Sequence, residues 1–133
     1  MRIGQLADRF GVNPKTIRYY ESIGLMPDPD RSPSGYRLYD NGDAERLGFI
    51  RTAQRLGLSL DDILGILAIR ARDEPPCRHV VELLQVHVTE LDARIQEMRV
   101  LRDNLTATIS RADDLRDRDG RFCSVIEHGG TAP

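Results

Sequence analysis

No stretch of this 133-residue chain approaches the ~20 consecutive apolar residues of a membrane span. Met1-Arg2-Ile3-Gly4 enters a helix pattern directly, without the apolar core of a signal peptide. Both absences point to a soluble, cytoplasmic protein with no membrane partner. Cysteine is scarce as well. Cys77 and Cys123 stand 46 positions apart, a poor basis for a structural disulfide in a cytosolic chain. An iron–sulfur centre would need four grouped cysteines. Paired pocket carboxylates, a nucleophile elbow and a phosphate loop are all missing, so no enzyme is expected. Nor is there a strong charge of one sign: the net charge is −2. Its distribution is uneven, with 11 Lys+Arg against 9 Asp+Glu in residues 1–72 and 8 against 12 in residues 73–133. An excess that mild in the first half means that placement of a few side chains outweighs bulk field.

The first forty residues hold a compact order of signals. Ile3, Leu6 and Phe10 share an apolar face of a helix expected over 3–9, and Gly11 supplies the positive φ of its stop. Asn13 then caps a second helix, with Pro14 in its first position. There Ile17 faces inward, and Lys15, Thr16, Arg18, Tyr19 and Tyr20 populate the other faces as candidates for nucleic-acid contact. Of the two tyrosines, one is expected to pack and the other to reach a phosphate backbone. Gly24 ends the helix. Residues 25–39 read as strand, turn, strand: residues 25–26 and 36–39 flank a tip rich in Pro27, Pro29, Pro33, Ser34 and Gly35. Arg31, Tyr36 and Arg37 are the wing's candidate contacts, the arginines hydrogen-bonding phosphates and so fixing register more than reading sequence. A helix-turn-helix with a wing places one helix in a major groove and a loop on the flanking backbone.

Two more helices follow. Over 41–57, Asp43 is the expected cap, and Leu47, Ile50, Ala53 and Leu56 recur at helical spacing. Ser59 with Asp62 opens 60–71, where Ile63, Leu64, Leu67 and Ala68 are expected to face inward. Pro75-Pro76 then breaks the chain. Three segments are expected, over 1–74, 75–112 and 113–133, the first of them the DNA-binding domain.

Arg18-Tyr19-Tyr20-Glu21 and Gly35-Tyr36-Arg37-Leu38-Tyr39, following Ile3-Gly4-Gln5-Leu6-Ala7 at this spacing, closely resemble a MerR-family transcriptional regulator. The likeness runs from Met1 to about residue 112. It implies a mostly α fold: a winged helix-turn-helix, a long antiparallel coiled-coil helix and a short metal-binding loop. It also implies a dimer that binds promoter DNA in both apo and metal-bound forms and distorts an overlong spacer for RNA polymerase when the effector binds, using deformability more than base contacts.

The long helix carries its own argument. Val81, Leu84, Val88, Leu91, Ile95, Met98, Arg102, Leu105, Ile109 and Ala112 alternate steps of three and four, the period of a coiled-coil seam. Over 78–112 such a helix is roughly 50 Å long and needs a partner, by default a second copy related by a two-fold axis. The resemblance implies antiparallel helices; the residues alone leave a parallel zipper open.

Cys77 precedes this helix and Cys123 follows it. The eleven residues from Ala112 to Cys123 span at most ~37 Å, too short to return along the rod within one chain. In an antiparallel dimer, Cys77 of one subunit falls near Cys123 of the other. The resemblance adds that divalent-metal sensors carry a cysteine at this helix start, where monovalent sensors have serine. A divalent effector such as Zn, Cd, Pb or Hg is therefore expected. The loop departs from the pattern in having one cysteine where metal-sensing relatives place two or more. Two thiolates suit a linear ion such as Hg(II), whereas zinc wants four ligands, for which His79 and His128 are the nearest candidates. The competing signal is thiol oxidation or another non-metal cue. About twenty residues after the helix are too few for a drug-binding pocket.

Overall fold

The computed structural model describes residues 1–129; residues 130–133 of the expected effector tail lie outside the described residues. It is mostly helical, with α1 Ile3–Phe10, α2 Pro14–Ser22, β1 Asp30–Arg31, β2 Arg37–Leu38, α3 Asn41–Arg55, α4 Leu60–Ala71, α5 Cys77–Ser110, α6 Ala112–Leu115 and α7 Ser124–Gly129. It forms two compact units, Met1–Val86 and His87 onward. No helix among the described residues is long and apolar enough to cross a membrane.

In the first unit, local chemistry sets the helix ends. Gly11 closes α1 at φ 64°, a left-handed conformation that a Cβ would strain. Two residues on, the Asn13 side chain accepts the Lys15 amide at 2.9 Å, and Pro14, with no amide proton to leave unpaired, starts α2. Leu6, Ala7, Ile17, Leu47, Ile50, Ile63 and Ile66 form the centre of one core. A Leu→Ala change in such a core costs about 2–5 kcal/mol.

Several expectations change here. The cap of α3 is Asp40, which accepts the Asp43 amide at 2.9 Å; Asp43 closes the box by accepting the Asp40 amide at 3.0 Å. Ser59 and Asp62 form the same reciprocal pair before α4. Leu56 and Ala68 are exposed, and Ile66 takes the inward position. Leu25 and Met26 form no strand: both are buried core plugs, and the wing's first strand is Asp30–Arg31, antiparallel to Arg37–Leu38. An apolar pair beside a turn fits a strand pattern, but here burial wins over pairing.

Leu84 leaves the expected seam as well, packing with Val80 and Leu83 against the core of the first unit. The long helix runs 77–110, and Ala112 begins the separate α6. In the second unit, Leu115 is buried and the Thr108 hydroxyl donates to the Gly129 carbonyl at 3.1 Å. A Cβ on Gly129 would stand 2.6 Å from the Thr108 methyl. Absence of a side chain thus lets α7 close over Leu115.

Candidate functional site

Helix α2 and the wing make one surface. Lys15, Arg18 and Tyr19 are exposed on α2, with Thr16 half-buried. Tyr20 is the correction: it is 4% exposed against 54% for Tyr19. Its hydroxyl accepts from the Gln54 amide at 3.1 Å, which makes it a core residue and leaves Tyr19 as the outward tyrosine. Their rings are 6.3 Å apart.

Across from α2, Ser32 and Gly35 close the wing tip through a 2.9 Å backbone bond, with Gly35 at φ 89°. Arg31 donates from Nη1 to the Gly35 carbonyl at 3.0 Å. This aligns an exposed arginine on the turn, where it can meet a phosphate at little further cost in side-chain order. Tyr36 is exposed, and the Arg2 guanidinium stacks 4.2 Å from its ring centroid. Arg2 thereby joins the wing's cationic face; nothing in its sequence context singled it out.

Arg37 is held more tightly. Its Nε is buried 3.3 Å from Glu21 Oε1 without hydrogen-bond alignment, an ion pair held by charge. The other oxygen, Oε2, accepts the Tyr39 hydroxyl at 2.8 Å. Burial, then the Glu21 hydrogen bond and charge, push the Tyr39 phenol well above its ordinary value. Arg18, Glu21, Asp28, Arg31 and Arg37 line an open cleft of about 420 Å³ between α2 and the wing. Three guanidiniums against two carboxylates suit one phosphate group. Arg46, by contrast, is turned inward and donates to the Leu25 carbonyl at 2.8 Å.

The thiols are Cys77, the first residue of α5, and Cys123, directly before α7; both are free and exposed. Among the described residues no group of three or more Cys, His, Asp or Glu side chains is gathered as a metal site. Cys77 and His79 are two apart in one helix, a separation at which side chains diverge. His128 Nε2 lies 3.0 Å from the Asp119 carbonyl. Since a carbonyl only accepts, Nε2 donates, which in a neutral ring leaves Nδ1 with a lone pair. Asp113 is paired with Arg116, and Glu127 accepts the Arg121 amide at 3.1 Å. The described loop is thus an ordered scaffold around an exposed thiol.

Along α5 no residue is buried. Val81, Val88, Leu91, Ile95, Met98, Leu105 and Ile109 are between 46% and 73% exposed. Apolar exposure on that scale marks a contact surface.

Comparison with known proteins agrees with this geometry. Residues 1–68 match the family described as MerR HTH family regulatory protein, and residues 44–108 match MerR, DNA binding. The chain is 36% identical to the mercuric resistance operon regulatory protein of Bacillus cereus, over 95% of this chain and 94% of that protein. It superimposes on the transcription regulator PbrR691 from Ralstonia metallidurans CH34 in complex with lead(II) with a TM-score of 0.78. Identity there is 34%, covering 96% of this chain and 98% of that one. The Bacillus megaterium MerR in complex with mercury(II) gives a TM-score of 0.64 at 33% identity, over 96% and 98%. By these matches and its helix-turn-helix and wing, the chain belongs to the MerR family of DNA-binding transcription regulators, and it is a regulator rather than an enzyme.

Proposed function

We propose that this chain is a metal-responsive regulator that binds a dyad promoter operator as a homodimer. It activates transcription by RNA polymerase when a divalent, thiophilic ion binds. The DNA contacts are Lys15, Thr16, Arg18 and Tyr19 of α2 with Arg31, Tyr36 and Arg37 of the wing. Residues 1–74 serve as the DNA-binding segment, 75–112 as the dimerisation helix and 113–133 as the effector segment.

The observation that carries the sensing part is the pair of free, exposed cysteines, with no ligand cluster gathered among the described residues of one chain. Soft thiolates select soft or borderline ions, and relatives that are similar over nearly the whole chain are described with mercury and lead. Antiparallel α5 helices, sealed by their exposed apolar residues, would bring Cys77 of one subunit to Cys123 of the partner subunit. The ion then ties the thiolates across the dimer, with His128 Nδ1 and His79 as further donors. Titration with Zn(II), Cd(II), Pb(II) and Hg(II), counting free thiols, tests this reading. One ion per chain with loss of both thiols to titration supports it. Unchanged thiols with every ion, and loss of both on mild oxidation, would favour a redox signal instead.

A further inference from the structure

Glu21 joins α2 to the wing, the two halves of the proposed DNA-reading face. Its side chain is 6% exposed. One carboxylate oxygen lies 3.3 Å from Arg37 Nε and the other accepts the Tyr39 hydroxyl at 2.8 Å. Both partners belong to the wing, 16 and 18 positions further along the chain. The wing's own ladder is two residues per strand, and a two-stranded ribbon of that size does not hold its place unaided. A buried ion pair adds little net stability because desolvation offsets attraction, so its contribution here is to be sought in the placement of the wing.

We propose that Glu21 is a positioning residue for operator binding. It clamps the wing to α2 through Arg37 and Tyr39 and so sets the spacing at which Arg18, Arg31 and Arg37 meet one phosphate of the DNA backbone. The inference rests on the regulator reading and goes beyond it by giving a role in recognition to an acidic residue that repels DNA. Charge and position predict opposite signs. Removing a carboxylate beside a phosphate site strengthens nonspecific binding, whereas losing the clamp weakens specific binding.

The test uses the full chain, a duplex enriched by the wild-type protein from a random-core library, and a scrambled duplex at the same salt concentration. Glu21→Gln keeps an amide oxygen for Tyr39 and abolishes the ion pair. It should lower the specific-to-scrambled affinity ratio by about tenfold or more, with the scrambled duplex bound at least as tightly. In an Arg37→Ala background the same change should alter that ratio by less than about twofold, because the partner is gone. Equal tightening on both duplexes, or losses that multiply in the double variant, would overturn the proposal. Should Glu21→Gln fail to fold, Tyr39→Phe removes the other arm of the clamp. A loss of about threefold in the ratio then supports the proposal, and no change overturns it. A wild-type chain that enriches no sequence at all removes the regulator reading and this inference with it.

Discussion

Tyr39 donates its hydroxyl to Glu21 at 2.8 Å, so the wing and α2 share a hydrogen bond in a partly buried site. Replacing Tyr39 with Phe should cost about 1.5–3 kcal/mol at neutral pH, the range for a bond to a charged acceptor. The pH dependence has a definite sign. Burial first, then Glu21, raise the phenol in the folded state above its unfolded value of about 10. The folded protein therefore keeps the proton longer than the unfolded chain does. Stability from this group is complete below about pH 10 and is lost as pH rises beyond it. Thermal melts between about pH 9 and pH 11 should fall more steeply for wild type than for Tyr39→Phe. Parallel slopes would contradict the shared bond.

Two arginines should separate reading from positioning. Arg18 is exposed on α2, and Arg18→Ala should weaken operator binding by about 1–3 kcal/mol if it meets a base edge. Arg31 is exposed on the wing tip. Arg31→Ala should weaken specific and nonspecific duplexes alike and flatten the salt dependence by about one unit. Fluorescence anisotropy over a salt series reads both effects. An unchanged slope for Arg31→Ala would take the wing off the phosphate backbone.

The exposed stripe of α5 makes a prediction about assembly. Leu91 and Ile95 are 54% and 46% exposed; changing both to Asp would place charges in a desolvated seam at a cost of several kcal/mol. Sedimentation should then show monomers, and operator affinity should collapse because a dyad needs both recognition helices. A double variant that remains dimeric would rule out this seam.

The elements that were legible in the sequence are those written in local chemistry. Gly11, Asn13 and Pro14 define the turn between α1 and α2, and Ser59 with Asp62 starts α4, because each acts within three residues. What escaped depends on tertiary choice. Tyr19 and Tyr20 are chemically equal, and only the position of Gln54 and the core decides which one is buried. Leu25 and Met26 look like a strand but fill the core. Leu84 fits the heptad, yet it is used by the first unit. The Glu21 clamp was unreadable because its partners lie 16 and 18 residues away. For the proposed sensor, both thiols are legible by residue type alone, whereas a ligand set shared between subunits would not show in one chain.

The most direct test of the account is a purified heterodimer of a Cys77→Ser chain and a Cys123→Ser chain. If each site takes Cys77 from one subunit and Cys123 from the other, the heterodimer has one site with both thiols and one with neither. It should bind one ion tightly, with affinity rising as pH rises because thiolates must lose their protons to bind. Either mutant homodimer should bind none tightly while keeping apo operator binding. A heterodimer that takes up no metal, while the wild-type dimer takes up one ion per chain, would contradict a sensor site shared between subunits.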